Sequence, residues 1–413
     1  MASEDLIDHL QGRLSPAAAR ALALCEQLCR EGGFALFLVG GALRDLLQGR
    51  DHVDLDLALE GEAAPIATTL AAALNGRAVL HRRFGTAAVS GSGFHLDLAA
   101  TRREHYALPG ALPTVERADL RQDLARRDFS LNALALRLTD PAGELVDLFG
   151  GRADLEAGLV RVLHAASFQD DATRTLRAVR YAARLGFRLE ETTETWLRRD
   201  LSFLDAISGP RLRRELSFLL EEESAVTGAA LAAYLGILQA IHPRLRFHAA
   251  SADAWRAALA GPAPAPRDEL GFCLLSDARD AADVASLVER LHLRGRIERA
   301  LSDLVRLHGL SAKLARPAAP SAAVELLDGK AAAAVWALAV LDQNGPGETC
   351  RMYLETWRRI HPSLTGADLL ALGYAPGAPL GEALRALRRA RLDGEASTRA
   401  EEVAYLRGRG SGR

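Results

Sequence analysis

Lysine, cysteine and aromatic residues are all scarce in this chain of 413 residues. Lysine supplies only two of the 51 basic residues, Lys313 and Lys330, and arginine supplies the others. A bias toward GC-rich codons explains this preference without any functional argument. The formal net charge is −2, so overall charge does not indicate nucleic-acid binding. Local strips of arginine would nevertheless be sufficient to bind RNA.

The few cysteines and the absence of long apolar runs exclude several classes of protein. Cys25 and Cys29 lie one helical turn apart, with no partners at zinc-site spacing, so we interpret them as helix packing residues. No window offers about 18 uninterrupted apolar residues, which argues against a membrane span. The acidic N-terminal segment does not resemble a signal peptide. We therefore expect a cytoplasmic protein with no membrane partner.

The hydrophobic patterns change in character along the chain. The early part alternates helical and strand-like segments, and an alternation with period two over 52–59 predicts a half-buried strand. Helices are predicted at 16–31, just after Gly40-Gly41, and up to Gly76, and two or three strands follow before residue 102. From about Asp154 the strand signals nearly vanish, and further helices are predicted at 170–185, 191–204, 209–222 and 226–238.

These patterns predict an α+β head, a small sheet with helices, followed by an all-α neck, body and tail. We place the head at residues 1–155, the neck at 156–225, and the body and tail at 226–413. Two segments rich in proline and alanine, 261–267 and 315–321, are predicted to be loops.

Asp54 and Asp56 are the first candidate catalytic residues. Side chains at positions i and i+2 of a strand point to one face, so the two carboxylates should project together. Adjacent carboxylates repel one another, and a divalent cation relieves this repulsion. Mg²⁺ suits such ligands together with substrate phosphates, and a two-ion site could activate a hydroxyl and stabilise leaving pyrophosphate. Two solvated aspartates on an exposed strand would explain the same pattern.

Other polar residues could surround this pair. Gly40 and Gly41 join a strand to a helix and could cradle phosphate with backbone N–H groups, with Arg44 one turn further along. An ordinary strand–helix turn would have the same sequence. Asp97, on a later strand, could be a third carboxylate that supports the metal ions, or a charge at the end of a strand.

Two further clusters have the chemistry of nucleotide recognition. Arg127, Asp128 and Asn132 combine a bidentate donor, an acceptor and an amide that suit ribose hydroxyls and phosphate, although a buried ion pair is the simpler interpretation. Asp171 and Arg174 are spaced to share one face of a predicted helix. They could contact the edge of a base, or form a surface salt bridge of roughly 0.3–0.5 kcal/mol.

Taken in order, five segments resemble the motifs of the class II CCA-adding enzyme and bacterial poly(A) polymerase family. An ordered series of this kind is far more specific than any single motif, and it covers roughly residues 34–222. The segments are FLVGGALRD at 37–45 with DLD at 54–56, RRDFSLNA at 126–133, DLFGGRADL at 147–155, DDATRTLRAVR at 170–180 and SGPRLRREL at 208–216.

The resemblance implies a role for each matching residue. It implies a head of the nucleotidyltransferase type in which Asp54 and Asp56 hold two Mg²⁺ ions. Asp171 and Arg174 would mimic a Watson–Crick edge, so that a base is selected without a nucleic-acid template. The family commonly has Glu-Asp where this chain has Asp170-Asp171, which puts the role of Asp170 in doubt. The remaining nucleotide-binding positions implied are Gly40, Gly41, Arg44, Arg127, Asp128, Asn132, Arg177 and Arg180.

The activity implied is template-independent addition of nucleotides of the terminal CCA to tRNA, with ATP and possibly CTP as substrates and release of pyrophosphate. The compact segment 103–115 and the segment 162–171 favour the A-adding branch. Full CCA addition, CC addition and poly(A) tailing stay open, as does a small-molecule nucleotidyltransferase. A catalytically silent RNA-binding relative is the alternative of another class. Arginine clusters around 211–214 and 385–389 could contact RNA phosphates, or form solvated helix faces.

Overall fold

The structure, a computed structural model, describes residues 3–50, 55–81, 84–105, 110, 114–261 and 265–410. Asp54 therefore lies outside the described residues. The chain divides into two compact units, one made of residues 1–211 and 234–240 and one made of residues 212–233 and 241–413.

The described strands all lie in the first unit. They are β1 (Leu36–Val39), β2 (Leu55–Leu59), β3 (Arg77–His81), β4 (Thr86–Gly91), β5 (Phe94–Ala100), β6 (Arg102–His105), β7 (Thr114–Arg117), β8 (Leu134–Arg137), β9 (Leu145–Asp147), β10 (Leu159–Val160) and β11 (Arg188–Leu189). Seven of them form one sheet in the order β3-β4-β5-β2-β1-β8-β9. Within this sheet β2 and β5 run parallel, and the other neighbouring pairs are antiparallel.

Helices make up most of the rest of the described chain. Those up to residue 241 are α1 (Ser3–Gln11), α2 (Pro16–Glu31), α3 (Gly40–Leu47), α4 (Ala63–Ala73), α5 (Leu120–Ala125), α6 (Gly151–Ala157), α7 (Ser167–Asp170), α8 (Arg174–Leu185), α9 (Glu191–Arg199), α10 (Gly209–Glu221), α11 (Ala225–Tyr234) and α12 (Ile237–Ile241).

Short 3₁₀ segments occur along the described chain at Ser130–Asn132, Leu201–Ala206, Ala249–Ser251 and Trp357–Arg359. The α-helices after residue 241 belong to the second unit. These helices are α13 (Ala252–Ala260), α14 (Arg267–Leu275), α15 (Ala281–Leu291), α16 (Arg296–Gly309), α17 (Ser311–Ala315), α18 (Pro320–Leu327), α19 (Ala332–Leu341), α20 (Pro346–Glu355), α21 (Gly366–Ala371), α22 (Ala378–Leu392) and α23 (Arg399–Gly410).

The predicted α+β head and the helical remainder are both confirmed. Helix α2 begins and ends where its pattern predicts, and the Ser15 hydroxyl caps it by accepting the N–H of Ala18 at 3.1 Å. Cys25 and Cys29 are free thiols buried in the core, as their spacing predicts. After β9 the described residues contain only two-residue strands, in agreement with the loss of strand signal.

The two faces of the large sheet are covered unequally, and this difference positions the site. Leu57 of β2 and Leu98 of β5 belong to the main core, which also includes buried residues of α1, α2 and α4. The opposite face carries a small cluster in which Phe37 and Ala58 pack with Leu124 of α5. Because side chains alternate along a strand, Asp56 and Asp97 lie on this less covered face.

The second unit has a helical core of its own. Helix α19 is buried around nearly its whole circumference and packs against α14 and α16. A separate cluster near the C-terminus joins α21, α22 and α23 through Leu369, Leu387 and Leu406. Among the described residues, no helix combines the length and the apolar character that crossing a membrane requires.

Candidate active site

Asp56 and Asp97 lie side by side on neighbouring parallel strands, in register with each other. Neighbouring strands are about 4.8 Å apart, so the two carboxylates share one small area of the sheet. Asp97 is 57% exposed at its side chain, and its Oδ2 lies 3.4 Å from Nε2 of His95. The predicted third carboxylate is therefore adjacent to a member of the predicted metal pair.

The oxygen ligands of this pair suit a hard cation such as Mg²⁺. Asp54, the other predicted ligand, is not among the described residues. Within the part of the chain that is described, no group of three or more His, Cys, Asp or Glu residues is arranged to hold a metal ion. The two carboxylates on an open sheet face are the observation that favours a divalent cation here.

A cavity of about 360 Å³ joins these carboxylates to the glycine turn. Its lining includes Asp56, Asp97, Gly40 and Arg127, and its volume is within the usual range for small-molecule sites. Gly40 has a φ of +65°, and a Cβ at this position would lie 3.0 Å from Nη1 of Arg127. The positive φ therefore favours glycine here, and a Cβ would also force the guanidinium of Arg127 to shift.

Asp123 of α5 anchors the arginines beside the cavity. It is 1% exposed, and its carboxylate accepts hydrogen bonds from Arg126 at 2.7 Å and from Arg127 at 3.0 Å. Burial by itself raises the pKa of Asp123, but the charges and hydrogen bonds of the two arginines outweigh it, and the pKa lies below its usual range. The Nε of Arg127 is buried and donates to none of the described residues.

Asp128 and Asn132 belong to a buried network behind the cavity. Asn132 donates to Oδ1 of Asp128 at 3.0 Å, and Arg177 donates from Nε to Oδ2 at 2.9 Å. Burial raises the pKa of Asp128, but the Arg177 charge and the hydrogen bonds from Asn132 and Arg177 outweigh it and lower the pKa. The predicted ribose-binding residues are thus brought together with Arg177 of the motif segment 170–180.

Arg44 is buried and bonds to the network of Asp128 and Asn132. It is 2% exposed, and its Nη1 donates to the Asn132 side-chain oxygen at 2.8 Å while its Nε donates to Asp45 at 2.9 Å. Its guanidinium lies 5.2 Å from the ring centroid of Tyr181. Arg177 and Arg180 approach the same ring at 5.8 and 5.3 Å.

The predicted helix over 170–185 is wrong at its start, because the chain leaves the helical path between α7 and α8. Asp171 is extended, with φ −144° and ψ 98°, and its Oδ1 accepts the backbone N–H of Thr173 at 3.0 Å and the Thr173 hydroxyl at 2.7 Å. Such side-chain bonds compete with helical ones. Asp170 and Asp171 therefore do not share a helix face with Arg174, which is the first residue of α8.

Asp171 and Arg174 have different partners. Arg211 of α10 donates to Oδ1 of Asp171 at 2.9 Å. Arg174 is 5% exposed and donates to the carbonyl of Arg126 at 2.8 Å and to that of Ser167 at 3.3 Å. These bonds occupy two of its five donors and leave the others for a ligand.

The segment 147–155, which resembles the flexible hinge motif of the family, is closely packed in this structure. The Asp147 carboxylate accepts the N–H of Gly151 at 2.8 Å, which caps the start of α6. A Cβ on Gly151 would lie 2.2 Å from the carbonyl oxygen of Ser130. The Ser130 hydroxyl in turn donates to Asp154 at 2.6 Å. The hinge and the ribose-binding segments are therefore in direct contact.

From the sequence we did not identify Asp123 or Tyr181 as residues of the site. For Arg211 we proposed only a contact with RNA phosphates. Asp123 precedes Arg127 by four residues, and Tyr181 follows Arg177 by four, so helical spacing contained a signal for both. The Arg211–Asp171 contact joins residues 40 positions apart, and no local pattern reveals such a pair.

Two protein-family models match this chain, one over the sheet domain and one over helices that follow it. The model described as the poly A polymerase head domain matches residues 36–161, and the model of a probable RNA- and SrmB-binding site of polymerase A matches residues 186–247. A CC-adding tRNA nucleotidyltransferase from Deinococcus radiodurans is 34% identical over 90% of this chain and 88% of its own length. The chain belongs to the tRNA nucleotidyltransferase family.

Other family members resemble the chain over its whole length. An A-adding tRNA nucleotidyltransferase from Geobacter sulfurreducens is 33% identical over 96% of this chain, which spans 47% of the length of that relative. The solved structure of the Thermotoga maritima CCA-adding enzyme complexed with tRNA superposes with a TM-score of 0.81 at 26% identity, covering 98% of each chain. The five motif segments and the family assignment therefore agree.

Proposed function

We propose that this chain is a template-independent tRNA nucleotidyltransferase that adds a nucleotide of the 3′-terminal CCA, with AMP from ATP as the added unit. The observation that carries the proposal is the cavity in which Asp56 and Asp97 face Arg127 beside the Gly40 turn. It combines oxygen ligands for cations with a cationic group for a triphosphate, which phosphoryl-transfer chemistry requires.

Two Mg²⁺ ions would be held by Asp54 and Asp56. Asp97 would be a supporting carboxylate. Cations bound there would supply activation of the attacking 3′-hydroxyl and neutralisation of charge on the leaving pyrophosphate. The protein's own contribution is positional, because the parallel pairing of β2 and β5 keeps two of these carboxylates on one face.

The remaining residues orient the nucleotide. Arg127, with a buried Nε that donates to no described residue, would contact the triphosphate while Asp123 holds its Nη2. Asp128 and Asn132 would meet the ribose, and Arg44, Arg177 and Arg180 would hold them in position. Gly40 and Gly41 would let the triphosphate approach the backbone.

Base selection is assigned to Asp171 and Arg174. Oδ2 of Asp171 accepts no hydrogen bond from the described residues, so it would accept one from a base amino group. Arg174 would donate to a ring nitrogen or carbonyl. Such a site discriminates strongly, because the wrong base leaves buried polar groups unpaired.

The proposed domains follow this division of work. The head, residues 1–155, performs the chemistry, and the neck, 156–225, selects the base. The body and tail, 226–413, bind the acceptor arm of tRNA through its shape and backbone. The tRNA in the Thermotoga complex and the A-adding activity of the Geobacter relative support the choice of substrate and of AMP addition. CC addition, as in the Deinococcus relative, is the second candidate.

The deciding experiment supplies tRNA ending before CCA, after CC or after CCA with labelled ATP or CTP separately. We expect ATP to be incorporated once on tRNA that ends in CC, and turnover to stop with EDTA. Incorporation of CTP on the shortest tRNA would move the assignment to CC or CCA addition. No incorporation of either nucleotide on any 3′ end would favour a silent RNA-binding relative and reject the enzyme.

A further inference from the structure

A group of basic side chains surrounds a buried carboxylate on helix α16 of the second unit. Asp303 is only 4% exposed at its side chain, yet three cations approach it: Arg306 at 3.3 Å, Arg299 at 3.9 Å and Lys330 at 3.9 Å. We refer to Arg299, Arg306 and Lys330 as the α16 basic cluster. They line a cavity of about 440 Å³ together with Glu298.

The two arginines of the cluster are accessible to a partner, whereas the carboxylate that they surround is not. The side chains of Arg299 and Arg306 are 68% and 67% exposed, whereas the Asp303 carboxylate is nearly inaccessible. Asp303 also accepts the N–H of Ala331 at 2.9 Å, which holds it at the start of α19. Arg299 and Arg306 are thus mainly exposed, Lys330 is 24% exposed, and Glu298 is the exposed carboxylate among the described residues that line the cavity.

The arginine cluster predicted near the C-terminus is different in this respect. Arg388 pairs with Asp328 at 2.6 Å and Arg389 pairs with Glu325 at 2.5 Å. These acceptor carboxylates are 40% and 55% exposed, so each positive charge is compensated at the surface itself. Such exposed pairs are weak recognition elements for a polyanion.

The exposure of the two arginines fits an extended polyanion better than a single small anion. Arg299 and Arg306 are seven residues, about 10.5 Å, apart along the backbone of one helix, and both side chains approach the Asp303 carboxylate. Their long side chains are mostly solvated, so no enclosed pocket desolvates an isolated ion. The Nη2 of Arg299 donates to the carbonyl of Gly329 at 2.8 Å, and the guanidinium has further N–H donors.

We propose that the α16 basic cluster binds phosphodiesters of the RNA backbone during tRNA engagement. This inference rests on the proposed function, because tRNA is the polyanion that the active site would require. Neutralised phosphates release condensed counterions, so each contact steepens the salt dependence of binding. The contacts carry no base specificity and therefore act on any tRNA.

The test measures binding of tRNA ending in CC, without nucleotide, at several salt concentrations. Variant Arg299→Gln/Arg306→Gln is compared with the charge-retaining Arg299→Lys/Arg306→Lys. The matched control is Arg256→Gln/Arg316→Gln, which removes two exposed arginines elsewhere in the second unit. We expect the first variant to weaken binding about tenfold at 100 mM salt and to reduce the slope of log K against log salt by about 1.5–2.

The lysine variant should retain the wild-type slope, and the control should change it little. A wild-type slope in Arg299→Gln/Arg306→Gln would overturn the inference, and would leave an acidic protein partner as the alternative for this surface. Equal losses in the glutamine variant and in the control would also overturn it, because they would reflect net charge alone. Nucleotide incorporation at saturating tRNA is followed separately, so its absence in the wild type would reject the proposed function without deciding this contact.

Discussion

Arg211 donates from Nη2 to Oδ1 of Asp171 at 2.9 Å and from Nη1 to the carbonyl of Gly110 at 3.0 Å. Thr173 also donates to Oδ1, so this oxygen is saturated. The proposed base-selecting carboxylate is therefore fixed in orientation by a residue of α10, and not by Arg174. Fixed polar groups discriminate between bases more strongly than mobile ones do, because the wrong partner cannot be accommodated.

Replacing Arg211 by alanine should reduce nucleotide selectivity. Without this donor only Thr173 holds Oδ1 of Asp171, so the carboxylate is less firmly oriented, and we expect the ratio of kcat/KM for ATP to that for CTP to fall about tenfold, which corresponds to about 1.4 kcal/mol. Arg213→Ala, on the same helix, is the control because Arg213 donates to the carbonyl of His292 instead. Equal ratios in both variants would contradict the orienting role of Arg211.

The two described carboxylates should differ in their effects on catalysis. Asp56→Asn should reduce kcat by about 10³ or more because it removes a metal ligand, whereas tRNA binding should be nearly unchanged. Asp97→Asn should lower kcat less and raise the Mg²⁺ concentration needed for half-maximal rate. Retained activity in Asp56→Asn would refute the metal role, and an unaltered Mg²⁺ requirement in Asp97→Asn would exclude Asp97 as a supporting carboxylate.

Tyr181 should act through its ring and not through its hydroxyl. Arg44, Arg177 and Arg180 each lie within 5.8 Å of the ring centroid, and each such contact contributes about 0.5–1 kcal/mol. Tyr181→Leu should therefore raise the KM for ATP about tenfold, while Tyr181→Phe should retain the wild-type value. Steady-state kinetics at saturating tRNA measures both, and an equal loss in the two variants would show that the hydroxyl is the important group.

Asp123 should make the stability of the first unit depend on pH. Its pKa is lower in the folded protein than in the unfolded chain, so its stabilisation is complete above about pH 4 and is lost as the pH falls through the folded value. At pH 7, Asp123→Asn should cost about 2 kcal/mol, because Arg126 and Arg127 lose a charged acceptor.

Urea unfolding followed by circular dichroism at pH 6 and pH 3.5 checks this dependence. The stability difference between wild type and Asp123→Asn should be smaller at the lower pH. Asp253→Asn is the control, since Asp253 is 97% exposed and pairs only with Arg256 among the described residues. A difference that is independent of pH would contradict the ionised state of Asp123.

Local patterns predicted the elements that depend on local forces. The helical pattern was sufficient for α2, and alternation was sufficient for β2. The same reasoning failed at Asp171, where a helical period continues through the sequence but the Asp171 side chain bonds to Thr173 and interrupts the helix. Periodicity does not report competition between side-chain and backbone hydrogen bonds.

The sequence by itself determined which chemical groups the chain has: aspartates for cations, arginines for phosphates, and a glycine turn where a Cβ would obstruct them. Their order along the chain also identified the family. Only the tertiary structure decided which groups meet. Asp56 lies beside Asp97 because β2 and β5 pair in parallel, and Asp171 meets Arg211 through a hydrogen bond between two segments that are distant in the chain. Both contacts join residues about 40 positions apart, and contacts at that separation are decided by packing and strand pairing, which no local pattern encodes.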